Sequence, residues 1–358
     1  MSTKVLDVSN ATDDAERKSN DRQGMALPLL PIQPILKSKI WGGTHFPPPG
    51  DDEPGPIGES WQIADLEEGV TRIASGEMAG NSLRDLVERF GTALVGKRAT
   101  AGRFPFLVKV IDAAQMLSVQ VHPDDEGARH FAGAASKEET WYFLEGRGAV
   151  LHGLKQKTER PDFEAALRGG RVTDLLREVP ARKGAVLHVP PGTLHAIGAD
   201  VFLLEVQEPS DTTFRVWDYG RMGLDGKARP LHVNEALQVS SLDQAPTAGE
   251  PRAPTQLRGN VQATLLADTD CYRIEEVIMK AGSSWSLQLS GDTCVLATLL
   301  RGSIAYSSAN DRSYPGRMLE SMLIPAACQS VDITCSADAT LILTGVGGCP
   351  LAAPDATL

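Results

Sequence analysis

From Phe104 onward, hydrophobic and polar positions alternate or cluster over short segments that glycine and proline separate. These segments are "FPFLVKVIDA", "MLSVQVHP", "ETWYFLEGRGAVLHG", "AVLHVPPGTLHAIG" and "VFLLEVQEP". A period of two is typical of β-strands, and many short strands divided by turn residues predict a sandwich or a barrel. The sequence therefore predicts a mainly β fold.

Three segments depart from this strand pattern and predict helices. "SLRDLVERFGTALVG" has apolar residues at helical spacing from Leu83 to Leu94, with Asn81 or Ser82 available as the N-cap. "DFEAALRGGRVTDLLREV" predicts two short helical pieces that Gly169 and Gly170 separate, and "LHVNEALQV" predicts a further one. The helices are therefore a small insertion in a β protein.

The last third of the chain resembles the first β segments in the same order. "LATLLRGSIAYSS" matches "TWYFLEGRGAVLHG", "GRMLESMLIPAACQSV" matches "KGAVLHVPPGTLHAI", and "ATLILTGV" matches "VFLLEVQE". Three matches in one order predict a duplicated β unit. We predict a polar tail at 1–26, a first β unit with helical insertions at 27–240, a linker at 241–256 and a second β unit at 257–358.

Composition and charge limit the kinds of partner. The chain has 358 residues, 42% hydrophobic and 23% charged, with a net charge of −11. Nucleic acids and anionic membranes need a broad basic surface, so neither is an expected partner, whereas a small anionic substrate needs only a few local cations. No apolar run approaches the ~20 residues of a membrane span, and the charged N-terminus does not resemble a secretory signal. We expect a cytoplasmic protein.

The five cysteines all follow residue 270 and are odd in number: Cys271, Cys294, Cys328, Cys335 and Cys349. None forms a C-x-x-C pair, and no histidine follows His232. This pattern suits neither a zinc knuckle nor a disulfide framework, so free thiols are expected. The second β unit is accordingly predicted to hold no metal.

Gln120 and His122, in "LSVQVHPDDE", stand two residues apart on a predicted strand. Side chains alternate across a strand, so both project from one face while Val119 and Val121 project from the other. A metal or ligand would explain such a polar pair, although a hydrogen-bonded polar crevice is the commoner reason for it. The pair alone leaves both interpretations open.

Two spaced motifs follow this strand. Glu139 is separated from Gly146 by six residues, and Gly184 is followed by five residues and then P-x-G-x-x-H, from Pro190 to His195. The proline and glycine make a tight turn that can aim His195 inward. These E-x6-G and G-x5-P-x-G-x-x-H patterns resemble the cupin superfamily, whose members are small β-barrels with an internal metal. The resemblance implies two cupin-like jelly-roll β-barrels with a small helical insertion, the second degenerate and metal-free.

Longer motifs resemble one branch of that superfamily, the type I phosphomannose isomerases in their compact bacterial form. They are "KSKIWGG", "GESW", "QVHP", "KEETWY", "PPGTLHAIG", "SDTTFRVWDYGR" and "RPLHVNEAL", which occur in the family's order. The resemblance implies a metal-dependent interconversion of mannose 6-phosphate and fructose 6-phosphate through an enediol(ate). It implies four metal ligands, namely Gln120, His122, Glu139 and His195. Two imidazoles, a carboxylate and an amide oxygen suit Zn²⁺, with Mn²⁺ or Fe²⁺ as alternatives.

The same resemblance implies catalytic roles for Arg215 and Lys137. Arg215 matches the family's active-site arginine, and a planar guanidinium can stabilise an enediolate or orient a phosphate. Lys137 is two residues before Glu139, so on an extended segment it shares that residue's face. Either Lys137 or a water on the metal is a candidate for the base.

Four further residues are candidate substrate-binding groups. Ser118 precedes Gln120 by two residues and shares its face, so its hydroxyl is a candidate phosphate ligand. Lys109 is a single charge in an apolar strand, where a buried ammonium group needs a partner such as Asp112, a carboxylate or the substrate. Glu59 in "GESW" and Trp41 in "WGG" are weaker candidates for a substrate contact and a cavity wall.

The remaining histidines have no partner pattern in the sequence. They are His45, His130, His152, His188 and His232. Each is predicted to pack or to lie on the surface.

Two other functions remain open from the sequence. One is another metal-cupin enzyme such as an oxygenase, and the other is a non-catalytic cupin that binds a sugar phosphate. Retention of the four ligand candidates, Lys137 and Arg215 favours the isomerase. The expected partner is a small-molecule sugar phosphate, bound by a monomer or a homodimer.

Overall fold

A computed structural model describes residues 27–48, 55–100, 102–244, 253–309 and 311–352. The predicted tail at 1–26 and most of the predicted linker, residues 245–252, lie outside these ranges. The first strands are β1 (Leu30–Gln33), β2 (Ile35–Ser38), β3 (Ile57–Ile63), β4 (Asp65–Leu66), β5 (Gly69–Val70), β6 (Arg72–Ile73), β7 (Leu107–Ala113), β8 (Val119–Val121), β9 (Glu139–Phe143), β10 (Ala149–Leu154), β11 (Leu176–Pro180), β12 (Val186–Val189), β13 (His195–Ile197), β14 (Val201–Gln207) and β15 (Phe214–Trp217). The later strands are β16 (Thr255–Gln256), β17 (Val261–Asp268), β18 (Tyr272–Met279), β19 (Ser284–Gln288), β20 (Val295–Arg301), β21 (Ile304–Ser308), β22 (Asp311–Gly316), β23 (Ser321–Ile324), β24 (Ser330–Cys335) and β25 (Ala339–Val346). The mainly β prediction is confirmed.

Short helices lie between the strands. They are α1 (Leu83–Phe90), α2 (Thr92–Val95), α3 (Asp125–Ala128), α4 (Arg160–Arg168) and α5 (Val233–Val239), with a 3-10 turn at Val172–Leu175. Ser82 caps α1, because its hydroxyl accepts a hydrogen bond from the Asp85 amide. The apolar pattern that runs on to Leu94 is divided at Gly91, whose φ of 50° ends α1 and starts α2. None of the helices in the described ranges has the length and apolarity needed to cross a bilayer.

The first sandwich consists of two antiparallel sheets. One has the order β12-β9-β14-β7-β3-β2 and the other β11-β10-β13-β8-β15. Side chains from both sheets form the core between them, including Trp141 and Leu203 from the first and Val150 and Ile197 from the second. The outer face of the five-stranded sheet is covered by α4 and α5.

The second sandwich repeats this arrangement with an eight-stranded and a four-stranded sheet. Their orders are β16-β17-β18-β25-β20-β23-β1-β6 and β19-β24-β21-β22. Corresponding strands take the same places in chain order: β12-β9-β14-β7-β3 matches β23-β20-β25-β18-β17, and β11-β10-β13-β8 matches β22-β21-β24-β19. The duplication inferred from the sequence is therefore present in the strand order.

The two sandwiches pack back to back. Val110 and Leu204, on the outer face of the six-stranded sheet, join one buried cluster with Ile274 and Leu296 of the eight-stranded sheet. The sheets thus lie in four layers, with the larger sheet of each sandwich in the middle. Near the N-terminus the chain also crosses this division, because β1 pairs with β23 through Leu30 and Leu323.

All five cysteines are free thiols, as predicted. Cys271 is half-buried and the other four are buried. The polar site described below lies in the first sandwich, between the five-stranded and six-stranded sheets.

Candidate metal centre and cavity

Three buried side chains converge between the sheets of the first sandwich. His122 follows β8, Glu139 begins β9 and His195 begins β13. Their candidate ligand atoms all lie within 4.8 Å of one another, and each residue is at most 2% exposed. Residues that are 17 to 73 positions apart along the chain meet because β8 and β13 are neighbours in one sheet and β9 faces them from the other.

Backbone carbonyl groups orient both histidines. His122 Nδ1 lies 2.8 Å from the Thr212 carbonyl oxygen, and His195 Nδ1 lies 2.9 Å from that of Thr193. An Nδ1–H that donates to a carbonyl leaves Nε2 with a free lone pair, which is the usual arrangement of metal-binding histidines. Burial and Lys137 lower the pKa of His122 to about 3, and burial lowers the pKa of His195, so both rings are neutral at neutral pH.

The Glu139 carboxylate is ionised although it is fully buried. Burial alone would raise its pKa, but Lys137, His195 and His122 hold the pKa well below its usual range. The nearest nitrogen atoms are Lys137 Nζ at 3.0 Å, His195 Nε2 at 3.2 Å and His122 Nε2 at 3.5 Å. Among the described residues, neither Glu139 oxygen nor His122 Nε2 makes a hydrogen bond of good geometry. Buried polar atoms in this arrangement are typical of a site that can bind an ion.

Gln120 is the fourth residue of this set. It pairs with His195 across β8 and β13, and its Nε2 lies 3.2 Å from His195 Nε2. A half-turn of the amide would exchange the nitrogen for the oxygen, and only the oxygen can bind a metal. Two neutral imidazoles, one carboxylate and one amide oxygen fit a divalent cation that accepts nitrogen and oxygen ligands.

A cavity of about 270 Å³ adjoins this cluster and is lined mostly by polar side chains. Gln120 and Lys137, which contact His195 and Glu139, are part of its wall. The six residues predicted to act in catalysis or substrate binding also line it: Trp41, Glu59, Lys109, Ser118, Lys137 and Arg215. The structure therefore brings the sequence-predicted candidates together around one space.

Arg215 lies on β15, paired in register with Gln120 of β8. Its Nε donates to Ser118 Oγ at 3.2 Å and its Nη1 to the Pro230 carbonyl oxygen at 3.3 Å. Among the described residues, no carboxylate forms an ion pair with this guanidinium. His232 makes two hydrogen bonds to the Arg215 backbone. Its amide donates to the Arg215 carbonyl oxygen at 2.7 Å, and its Nδ1 accepts from the Arg215 amide at 3.2 Å. The arginine is thus held at the cavity with its charge available.

Lys109 and Glu205 form a buried ion pair across β7 and β14. The two residues are in register, with Lys109 Nζ 3.3 Å from Glu205 Oε1, and Trp141 Nε1 donates to Glu205 Oε2 at 3.1 Å. Lys109 Nζ also donates to Gln207 Oε1 at 2.7 Å. Burial and then Glu139 raise the pKa of Glu205. Lys109 therefore has a carboxylate partner, but that partner is Glu205 and not Asp112. Asp112 binds His45 instead.

Glu59, on the neighbouring strand β3, also lines the cavity. Its carboxylate accepts from Trp61 Nε1 at 2.8 Å and lies 3.0 Å from Lys39 Nζ. Burial alone would raise its pKa, but Lys39 and Lys109 lower it to about 2. Trp41 is buried beside it on the cavity wall. Both of these weaker candidates are at the site.

Five polar lining residues were missed by the sequence analysis: Lys39, Glu205, Asp211, Thr213 and Arg229. Glu205 carried a usable signal, because it is a single charge within the apolar strand "VFLLEVQ", as Lys109 is within "FLVKVIDA". Lys39 and Arg229 stand in the quoted motifs "KSKIWGG" and "RPLHVNEAL". No periodicity distinguishes them from surface cations.

The other histidines in the described ranges lie outside the ligand cluster. His188 is on β12, with its Nδ1 3.0 Å from Thr140 Oγ1, and His152 Nε2 is 2.9 Å from the His188 carbonyl oxygen. His45 stacks on Phe202 and binds Asp112. His130 is exposed.

Comparison with known proteins identifies the family of this chain. Residues 29–145 match the family model of the phosphomannose isomerase type I catalytic domain. The chain is 36% identical over 219 residues to mannose-6-phosphate isomerase ManA of Bacillus subtilis, which covers 60% of this chain and 69% of the relative. The chain belongs to the type I phosphomannose isomerase family.

Two further proteins are similar to this phosphomannose isomerase family member, one in sequence and one in structure. The mannose-6-phosphate isomerase of Streptococcus mutans is 34% identical over 228 residues, covering 63% of this chain and 71% of the relative. The crystal structure of the mannose 6-phosphate isomerase from Bacillus subtilis superposes with a TM-score of 0.79 at 24% identity, covering 88% of this chain and 99% of the other. At that identity the superposition shows the fold alone, and it includes both sandwiches.

Proposed function

We propose that this protein is a metal-dependent aldose–ketose isomerase that interconverts mannose 6-phosphate and fructose 6-phosphate through an enediol(ate). The observation that supports this most directly is that the candidate metal ligands His122, Glu139 and His195 adjoin a cavity lined by many cationic side chains. Five cationic side chains line that cavity: Lys39, Lys109, Lys137, Arg215 and Arg229. An anionic sugar phosphate is complementary to such a space, and membership in the family supports the same reaction.

His122, Glu139 and His195 would hold the cation, together with Gln120 through its amide oxygen. A divalent cation bound there would stabilise the negative charge that develops on the sugar oxygens during proton transfer. We propose Zn²⁺ because this donor set suits it, with Mn²⁺ or Fe²⁺ as alternatives.

Lys137 and Arg215 are the proposed catalytic residues. The Lys137 ammonium, 3.0 Å from Glu139 Oε2, can hold or deliver a proton next to the ligand cluster. Arg215 has no ion-pair partner among the described residues, so its guanidinium can bind a negative oxygen of the substrate. Glu205 is a second group on the cavity wall that can exchange a proton, since burial favours its neutral form.

Ser118, Lys109, Glu59 and Trp41 are proposed to contact the substrate. All four line the cavity. The reaction is assigned to residues 27–240 and a packing role to residues 257–358. The cytoplasmic location and the monomeric or dimeric state stay predictions. A non-catalytic sugar-phosphate-binding protein and an oxygenase are not favoured, because Lys137 and Arg215 both remain at the cavity.

A coupled assay for fructose 6-phosphate formed from mannose 6-phosphate tests the proposal. The protein is assayed as purified, after chelation, and after separate addition of Zn²⁺, Mn²⁺ or Fe²⁺. We expect activity to disappear on chelation and to return with one metal. Stoichiometric bound metal without turnover under any of these conditions would contradict the proposed reaction.

A further inference from the structure

Arg229 lies at the edge of the cavity and is held there by one carboxylate. Its Nε donates to Asp218 Oδ2 at 2.7 Å and its Nη2 to Asp218 Oδ1 at 2.5 Å. Asp218 is 5% exposed, so this paired contact fixes the plane of the guanidinium. Arg229 lines the cavity with its side chain 25% exposed. It therefore presents a prearranged cation to whatever binds in the cavity.

Arg221 contacts the same carboxylate from a different side. Its Nη2 donates to Asp218 Oδ1 at 2.7 Å, and its Nη1 donates to the Met116 carbonyl oxygen at 2.6 Å. Arg221 does not line the cavity. The two arginines thus share one structural partner, but only Arg229 faces the substrate space.

Positive charge is in excess along the cavity wall. The lining side chains include five cations, Lys39, Lys109, Lys137, Arg215 and Arg229, and three carboxyl groups, those of Glu59, Glu205 and Asp211. Burial and the Arg229 charge lower the pKa of Arg215, which shows that the cations are close enough to repel each other. Such an excess stabilises a bound dianion more than a neutral sugar hydroxyl.

The position of these groups relative to the ligand cluster agrees with the shape of a sugar phosphate. Arg215 Nε reaches Ser118 Oγ, two residues along the strand from Gln120 and so about 7 Å away from it. The carbonyl end of an extended sugar phosphate at Gln120 would place the phosphate toward Ser118, Arg215 and Arg229. The carbonyl end and the phosphate end of the substrate would then bind to two different parts of the site.

We propose that Arg229, oriented by Asp218, binds the phosphate group of the substrate. This inference rests on the proposed function for the identity of the sugar phosphate. It makes Arg229 a residue that determines specificity for phosphorylated over unphosphorylated sugars, separate from the groups that move the proton.

The test compares Arg229→Gln with the matched control Arg221→Gln. Each variant removes one guanidinium from Asp218, but only the first removes a charge from the cavity. We expect Arg229→Gln to raise the KM for mannose 6-phosphate and the inhibition constant of inorganic phosphate by roughly 10- to 100-fold, with kcat changed by less than about 5-fold. Arg221→Gln is expected to change both constants by less than about 3-fold.

Calorimetric titration of the proteins with inorganic phosphate needs no turnover. It separates failure of this inference from failure of the proposed reaction, because phosphate binding is compared even if no isomerisation occurs. Arg229→Lys, which keeps the charge, is expected to bind phosphate with intermediate affinity and serves if Arg229→Gln does not fold. Equal losses in Arg229→Gln and Arg221→Gln, unchanged phosphate affinity in the Arg229 variants, or no phosphate binding by the unmodified protein would each overturn the proposal.

Discussion

The two sandwiches share one strand order but fill their interiors differently. Glu139 begins β9 and pairs with Val189, whereas Val295 begins β20 and pairs with Ile324. Glu205 of β14 pairs with Trp141, whereas Leu343 of β25 pairs with Ala297. These places hold polar groups in the first interior and aliphatic ones in the second, although the place of Lys109 is taken in the second by the buried carboxyl group of Glu275.

The strands that match β8 and β13 complete this comparison. Trp285 and Leu287 on β19, with Val331 and Ile333 on β24, are all buried in the apolar core of the second sandwich. Glu59 pairs with Ile111, and at the matching place Ala263 pairs with Val277. The second sandwich thus forms the same β framework without the His122, Glu139 and His195 cluster. The polar groups are therefore best explained by a ligand.

The largest effect is expected from His122→Ala or His195→Ala. Either change removes a proposed metal ligand from the polar interior, so we expect metal content and turnover to fall together, the latter on the order of 1,000-fold or more. Metal analysis and the coupled assay measure this. His130→Ala, at an exposed histidine, is the control. Full turnover in a metal-free double variant would refute the metal role.

Arg215→Ala is expected to separate metal binding from turnover. The side chain contacts Ser118 and no member of the His122, Glu139 and His195 cluster among the described residues, so metal content should be unchanged. Loss of a guanidinium that stabilises developing charge should lower kcat by roughly 100- to 1,000-fold. Near-normal kcat would place Arg215 outside the chemistry.

Val295→Glu transfers the carboxylate of the first sandwich to the second. Val295 is 2% exposed and packs among aliphatic side chains, so a charge there would have no partner. We expect the free energy of unfolding to fall by about 3 kcal/mol or more, measured by urea denaturation. Gln288→Glu, at an exposed position on β19, should change it by less than about 0.5 kcal/mol. A small effect of Val295→Glu would show that the second core tolerates charge.

Glu59→Gln should make stability less dependent on pH. The pKa of Glu59 is lowered from 4.5 to about 2, so its ionisation stabilises the fold above pH 4.5 and that stabilisation is lost as the pH falls toward 2. We expect the variant to be less stable at pH 7 by up to about 3 kcal/mol, a difference that shrinks below pH 4.5. Urea midpoints at several pH values measure this. Glu67→Gln, at a side chain 88% exposed, is the control and should change the stability at pH 7 by less than about 0.5 kcal/mol.

The smallest effect concerns the thiols, which all lie in the second half. Burial raises the pKa of Cys294 to about 12, so its thiol is protonated and shielded at pH 8. We expect alkylation of Cys294 in the native protein to be far slower than in urea, as followed by mass spectrometry. Rapid native labelling would mean that the apolar interior opens readily.

The sequence was sufficient to predict the ligand candidates and part of the cavity wall, but not the rest of that wall. His122, Glu139 and His195 stand in motifs that resemble those of a known family, and that resemblance selected them. Arg229 acts at the cavity because Asp218 turns its guanidinium there, a contact between side chains that leaves no periodic trace. The choice of Glu205 as partner of Lys109 likewise depends on strand register.

Part of the fold was also predictable from the sequence. Alternation and glycine turns identified the strands, and matched segments identified the duplication. The break of the first helix at Gly91 was not apparent, because the apolar spacing continues across it. The pairing of β1 with β23 was also missed, since it joins residues almost 300 positions apart.

That pairing has a consequence for the order in which the molecule assembles. The strand Leu30–Gln33 emerges early from the ribosome, yet its partner Ser321–Ile324 is synthesised close to the end of the chain. Until then only Ile32 and Gln33 can pair, with Ile73 and Arg72 of β6, and Leu30 and Pro31 lack their partners in β23. Contacts of such long sequence separation slow folding. A fragment that stops after the first sandwich would keep that edge exposed. The N-terminal part of the chain thus depends on the C-terminal part to complete the pairing of its first strand.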